Sequence, residues 1–516
     1  MSAPTKSPPF VRILGFAAVL VFLGLVARFW HPVYRFTSLV QFDDSAFAVR
    51  IPALREQPVF VYHETGGYDG LYYAQIAFDP ALRDVPSLAP AMDNLSYRAR
   101  RILPSALAWL LGAGQPRFIL TVYSLLNVAA WLVLAAILWR LLAVADLRGW
   151  TAWAGVLFSA GALASVRLAL TDLIALTFLA GGLLAGERAR PRGAIGALAL
   201  AVLSRETSVL GVVALLRRPW VSLANVLRIV AVAAPFALWL CYVRARVGPA
   251  DQGWSNLTWP LAGLGEKWGA SVAAAVFHGD AILAWTTLLS TLALTVQAFF
   301  FLRRWQLDDP WWRVGAAYSA LLLTLGTAVW EDFPGAATRV LLPLTLAFNV
   351  RAVRLRSAWT WLLLGNLGVL SGLLMLRDVP YDTRELATAS DGRHSAIVRL
   401  GPGWFGVERK GSRLWAWSES AGELEFETSP VTGYPLTLEF GMRSLTPRTV
   451  TITQEGRTLW QGAIGEKLTP VTLRLDARDR ARLRFATDKP GVLENDHLEA
   501  RRLGFSVYDL RLILPP

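Results

Sequence analysis

Residues 194–216 read AIGALALAVLSRETSVLGVVALL, twenty-three residues that are apolar except at Ser204-Arg205-Glu206-Thr207 and the adjoining Ser208. One crossing of a bilayer needs about 20 residues at a rise of 1.5 Å each, so the run is long enough to pass straight through. Counting this and every earlier apolar stretch, 102–114 included, as one crossing places Arg188, Arg190 and Arg192 on the outer side, against the bias of basic residues toward cytoplasmic loops. Read instead as a hairpin broken at 204–207, with 102–114 dipping in without crossing, it makes loops 140–149, 186–193, 217–219, 303–312 and 351–357 cytoplasmic. Each of those loops is basic: Arg140 and Arg148, the Arg188 group, Arg217 and Arg218, Arg303 and Arg304, and Arg351, Arg354 and Arg356. The second reading is adopted. Broken helices at membrane depth survive only where protein or a cavity covers their freed backbone groups, so it predicts a polar cavity.

The rest of the chain agrees with a membrane setting. Of 516 residues, 54% are hydrophobic and 17% charged, with a mean hydropathy of +0.41. These values exclude a soluble enzyme, a fibre and a disordered tail. Residues 11–30 read as a retained anchor after Lys6 and Arg12, with the N-terminus cytoplasmic. Further apolar stretches fall near 117–139, 150–166, 169–185, 221–243, 280–302, 313–330, 336–350 and 358–376, giving a polytopic α-helical membrane protein of about 9–11 membrane helices. The net charge of +13 lies wholly before residue 378, because from that residue onward 19 basic and 19 acidic residues cancel. Charge confined to short loops argues orientation in a membrane and no nucleic-acid partner. Cys241 stands alone, so there is neither a disulfide framework nor a thiolate cluster.

From about 385 to 516 the pattern changes to short alternations, among them Leu436-Thr437-Leu438-Glu439-Phe440 and Val471-Thr472-Leu473-Arg474-Leu475. Period two at a spacing of about ten residues predicts an all-β sandwich. The division expected is a transmembrane domain over 1–377, including an external loop at 31–101, and an extracytoplasmic sandwich over 385–516.

The adopted topology places most polar residues of interest on the external side. In Gly66-Gly67-Tyr68-Asp69-Gly70, the glycines permit tight turns and put Asp69 just before a helical run, as an N-cap or a general base. Asp43 and Asp44 form an adjacent acidic pair, read as solvated loop acids or as a proton acceptor and cation site, which leaves Mg or Mn open and no cofactor certain. Tyr97, Arg98, Arg100 and Arg101 precede the dipping helix and read as contacts for lipid headgroups or for an anionic ligand. Arg205 and Glu206 interrupt the hairpin and read as a mutual pair or as cavity groups. Glu331, Asp332 and Arg339 stand at the mouth of another hairpin, as interfacial anchors or as a phosphate clamp. Asp172 reads as an N-cap. Trp311, Trp312 and Trp330 read as part of an interfacial belt. No phosphate-cradling glycine loop and no His-Glu-x-x-His zinc helix is present.

An anchor helix, a long external loop with Tyr68-Asp69-Gly70 followed by Tyr73 and Ile76-Ala77, and many short helices resemble the GT-C superfamily of glycosyltransferases, in its GPI mannosyltransferase-like and bacterial branches. The resemblance covers about residues 10–375. It implies a sugar transfer on the extracytoplasmic face from a polyprenyl-phosphate donor to a glycan or lipid acceptor, with Asp69 as catalytic base and Asp44 beside it. It further implies a donor-phosphate contact from Arg205, and the candidate substrate contacts read beside it are Asp43, Tyr68, Tyr73, Arg98, Arg101, Glu206, Glu331, Asp332 and Arg339, the last as a second clamp on the leaving phosphate. In the tail, Trp404, Trp415, Trp417, Asp496, Arg501, Arg502, Gly504 and Phe505 resemble jelly-roll domains attached to membrane glycosyltransferases, while read as residues they are sandwich core. The arginine-rich composition points to a bacterial inner membrane. The rival readings are a lipid or glycan transporter, whose polar groups belong near the midplane between repeats, and an inactive scaffold that binds a glycan.

Overall fold

A computed structural model describes residues 8–45, 50–63, 65–249, 256–277, 281–303, 305–331, 334–411, 413–429, 433–478, 480–494 and 500–516. Its contacts divide the chain into two units. One comprises Met1–Phe29, Phe36–Arg55 and Phe60–Val379, and the other Trp30–Arg35, Glu56–Val59 and Pro380–Pro516.

The first unit is helical. Four of its described helices are long and apolar enough to cross a membrane: Pro9–Ala27, Pro116–Leu141, Leu223–Val247 and Ile282–Arg303. A fifth span arises if Leu147–Leu157 and Ala160–Arg167, bent by 42°, are counted together. This is fewer than the nine to eleven expected, because most of the other apolar stretches are broken in the middle. Pro310–Thr324 gives way to Thr327–Trp330, Ala337–Val340 to Leu342–Arg354, and Trp359–Gly365 to Gly368–Met375. Each break frees carbonyls and amides that an apolar surrounding cannot solvate, and side chains take them up. Gln297 donates to the Gly365 carbonyl at 2.6 Å, Asn366 and Asn349 exchange amide hydrogen bonds, and Ser159 caps Ala160–Arg167 through the Ala162 amide.

The decisive stretch turns where its charges stand. Helix Pro191–Ser204 ends as Arg205 becomes extended (φ −154°, ψ 123°), and Glu206–Leu215 continues as a 3-10 helix. A Cβ on Gly211 would lie 3.3 Å from the Leu198 side chain. Thirteen residues of straight helix would separate the two by about 20 Å, so the chain doubles back. Ile102–Leu111, only about 15 Å long by the same rise, reverses through Gly112–Gly114 into Pro116–Leu141.

Helix Leu223–Val247 is bare by comparison. Only 11% of its apolar stretch is covered by protein, as suits a face turned to lipid. Its C-terminal half is tied to the loop before residue 101: Tyr242 donates to the Ala81 carbonyl, Arg246 to those of Leu82 and Arg83, and Trp239 to that of Ala99. Trp311, Trp312 and Trp330 are buried in the helical core, not arrayed as a belt.

The strand pairs of the second unit are antiparallel among the described residues. One sheet runs Arg457–Ile464, Arg448–Gln454, Arg482–Thr487, Ala421–Ser429, Ser395–Leu400, Glu385–Ser390. The other runs Thr469–Ala477, Tyr434–Arg443, Phe505–Ile513, Arg413–Ser418, Trp404–Lys410. Inward residues of both sheets share one core, where Phe440, Phe485 and Phe505 meet. Trp404 packs edge-on against Phe485 and Phe505, and Trp417 is buried, so these tail aromatics are core. Trp415 stacks on Tyr508, and Arg501 pairs with Glu408 and Glu494; Asp496 lies outside the described residues. Tyr34, from the segment after the first helix, is buried in this unit and donates to Glu427.

In the helical unit, Gly161 lies against the Thr338 carbonyl, where an added Cβ would come within 2.2 Å of the oxygen and 2.9 Å of the Arg339 Cα. Gly161→Ala is therefore expected to lower stability by about 1–3 kcal/mol through overpacking against backbone. Gly196→Ala, with nothing within 4 Å, should leave it unchanged or slightly raised. Thermal melts of the detergent-solubilised variants decide this, and equal midpoints would reject the packing argument.

Candidate functional site

The site is built on a turn that only glycine permits. Gly66 and Gly67 have φ of +73° and +70°, and a Cβ on Gly70 would sit 2.2 Å from the Leu168 carbonyl oxygen and 3.2 Å from that of Val40. This pins the start of helix Gly70–Ile76. Asp69 occupies the position before that helix, yet its side chain makes no capping hydrogen bond. It turns to Arg98 instead, with Nη1 and Oδ1 2.9 Å apart. The N-cap alternative is thereby removed.

Arg98 and Arg101 stand on and just after the turn Leu95–Arg98, which Asn94 caps through the Tyr97 amide. Neither is a headgroup contact at the surface. Arg98 holds Asp93 through two hydrogen bonds of 2.9 and 2.5 Å and lies over the Tyr72 ring at 4.8 Å. Arg101 is buried and grips Glu206 through two hydrogen bonds of 2.8 and 2.7 Å, then donates to the hydroxyls of Tyr73 at 2.8 Å and Tyr97 at 3.1 Å. Paired N–H donors on a carboxylate are the strongest geometry an arginine offers.

Arg205 and Glu206 do not pair with each other. Successive side chains of an extended backbone point to opposite sides, and Arg205 is extended. Glu206 reaches Arg101, while Arg205 Nη1 meets Asp172 Oδ1 at 2.5 Å. Asp172 Oδ2 also lies 3.4 Å from Arg339 Nη1. Asp172 is thus an ion-pair centre and not the N-cap expected; it is the first residue of helix Asp172–Glu187 and is 3% exposed. Arg339, likewise buried and no interfacial anchor, donates to the Tyr68 hydroxyl at 2.7 Å and lies over that ring. Arg205 Nε is buried with no hydrogen-bond partner among the described residues.

Four guanidinium groups and four carboxylates therefore interlock around Asp69. Its burial alone would raise its pKa, but Arg98, Arg339, Arg101 and Arg205 together bring it below the ordinary aspartate value. Asp69 keeps partial access, its side chain 29% exposed, as do Asp93 at 45% and Glu206 at 25%, whereas Asp172 is 1% exposed. Burial pushes the Tyr73 hydroxyl up, so it stays protonated beside Arg101.

The other acids stand elsewhere. Asp43 Oδ1 accepts from the Ser45 amide and hydroxyl, and Oδ2 from those of Thr65, at 2.6–3.0 Å. With both oxygens so occupied, Asp43 does not fit a divalent cation, and its pKa is held well below the carboxylate range despite burial. Asp44 meets His63 Nδ1 at 3.0 Å and is half-exposed. Among the described residues no three His, Cys, Asp or Glu side chains are grouped to hold a metal ion. Glu331 is exposed at the end of Thr327–Trp330, and Asp332 lies outside the described residues.

Asp93 and the centrality of Asp172 went unread in the sequence. The signal for Asp172 was the rule that an acid in an apolar run needs a cation; for Asp93 it was only proximity to Arg98. No protein-family model matches the chain, and no curated protein matches it.

Arg101→Gln leaves Glu206 charged with its paired donors removed, and stability is expected to fall by about 3 kcal/mol. Adding Glu206→Gln should recover most of the loss. A double variant no more stable than the single one, in melts or denaturant titration, would show that the stranded Glu206 charge is not the source of the loss.

Proposed function

We propose that this protein is a membrane glycosyltransferase that moves a sugar from a polyprenyl-phosphate donor to a glycan or lipid acceptor, with inversion at the anomeric carbon. The observation that carries the reading is the sharing of Asp172 between Arg205 and Arg339. Two guanidinium groups divide one carboxylate between them, so neither has a full counter-charge of its own there, and Arg205 Nε is a further donor without a hydrogen-bond partner among the described residues. A phosphate oxygen suits both. Arg98 holds Asp69, a part-exposed carboxylate, within the same cluster.

In the proposed reaction the acceptor hydroxyl attacks the anomeric carbon from the side opposite the phosphate. Its oxygen forms the new bond, its proton passes to Asp69, and the bond from carbon to phosphate oxygen breaks. Arg205 and Arg339 neutralise the departing phosphate. The Arg98 contact lowers the basicity of Asp69 but keeps it ionised, so it accepts a proton only as attack makes the hydroxyl acidic. The same reading sets the protein in a bacterial inner membrane, with the N-terminus cytoplasmic and the C-terminal unit periplasmic.

Purified protein offered a panel of polyprenyl-phosphate sugars is expected to release free polyprenyl phosphate, and Asp69→Asn to slow this by about 10²–10⁴-fold. Full activity in Asp69→Asn would sink the base assignment. No turnover of any donor, with one lipid retained by both proteins, would favour a transporter or binding scaffold. The base works only when ionised, so kcat/KM should stay level as pH falls until it passes below the ordinary aspartate value of 3.8. An acid limb near neutrality would exclude Asp69 in its present setting.

A further inference from the structure

The opposite end of helix Pro191–Ser204, roughly 20 Å from Arg205 by helical rise, opens on a cavity of about 500 Å³. That volume suits a small ligand or a lipid headgroup. Arg217, Arg218, Arg228 and Arg313 line it, against Glu187 and Asp308. Glu187 is already paired with Arg354, and Asp308 with Arg218, so the lining carries excess positive charge.

The four arginines differ in what they can still do. Arg313 spends its donors on the carbonyls of Val213, Leu307, Ala214 and Leu216, closing the end of the 3-10 helix. It contributes a fixed charge over the Trp220 ring, 5.1 Å away. Asn225 holds the loop in place by donating to the carbonyls of Arg217, Pro219 and Trp220. Its Oδ1 accepts from Arg228, fixing that guanidinium through one nitrogen and leaving the other donors unassigned. Arg217 is exposed and its side chain makes no hydrogen bond or ion pair among the described residues. Pro191, in the first turn of a fourteen-residue helix with no side-chain cap, also lines the cavity, adding the positive end of a helix dipole.

We propose that this cavity binds a phosphate-bearing anion, with Arg217 and Arg228 as contacts and Arg313 as standing charge. The apolar face beside it favours an amphiphile: Leu223, Val226 and Leu227, on the helix that starts next to the loop, are 51–74% exposed. A lipid would lay its chains there and set its phosphate among the arginines.

The test uses full-length protein reconstituted with phosphatidylglycerol and phosphatidylcholine, lipid retention being read by native mass spectrometry. Wild type should retain phosphatidylglycerol preferentially, and Arg217→Gln and Arg228→Gln should each reduce the preference roughly fivefold, the effect of about 1 kcal/mol per basic residue. Arg244→Gln, an exposed arginine at the far end of Leu223–Val247, should not. If inorganic phosphate displaces phosphatidylglycerol and by itself raises the melting temperature in wild type but not in Arg217→Gln, the anion is a soluble phosphate. If phosphatidylglycerol persists in excess phosphate, it is a lipid headgroup. Equal retention of both lipids by wild type, or an equal loss in Arg244→Gln, overturns the proposal. Turnover at Asp69 does not enter either outcome.

Discussion

Two adjacent charges in an apolar run, Arg205 and Glu206, set the terms for the helical unit. Unpaired, either would cost several kcal/mol there. The chain satisfies them by breaking the helix, so that one side chain reaches Asp172 and the other Arg101. Each partner in turn imposes an arrangement. Asp172 draws in Arg339, and Arg339 draws in Tyr68. Arg101 brings in Tyr73 and Tyr97. The residues flanking Asp69 are thereby held from both sides of the loop, and the position of that carboxylate follows from an interruption more than a hundred residues away.

The cluster is electrically closed as it stands, four cations against four anions. A ligand anion cannot simply be added to such a network; it must take over donors already engaged or use those left spare. The spare donor identified is on Arg205, and the most divided carboxylate is Asp172. A closed network of this kind also resists non-specific anions, because an incoming group has to outbid carboxylates held at hydrogen-bonding distance.

Much of this was legible in the sequence, and the exceptions share a cause. Basic loops located the break at 204–207, and the alternation after 385 located the sandwich, because both patterns are local and periodic. Tyr68, Asp69, Tyr73, Arg98, Arg101, Arg205, Glu206 and Arg339 were all marked as site candidates, and the structure gathers them. What the sequence withheld was pairing. Adjacent Arg205 and Glu206 suggested each other, whereas an extended backbone sends them apart; adjacent Asp43 and Asp44 suggested a shared site, yet one is occupied by Ser45 and Thr65 and the other by His63. Fewer of the apolar stretches are long unbroken helices than hydropathy suggests, because hydropathy does not register a break whose freed carbonyl is met by a distant side chain such as Gln297.

The attachment of helix Leu223–Val247 carries an implication for sequence drift. Trp239, Tyr242 and Arg246 all bond to backbone carbonyls, those of Ala99, Ala81, Leu82 and Arg83. They read the course of the loop and not its side chains. Substitution at those four loop positions can proceed while the joint is kept, provided the chain follows the same path. The burden of invariance falls on the three helix residues, so homologues should diverge on the loop side of the joint and stay alike on the helix side.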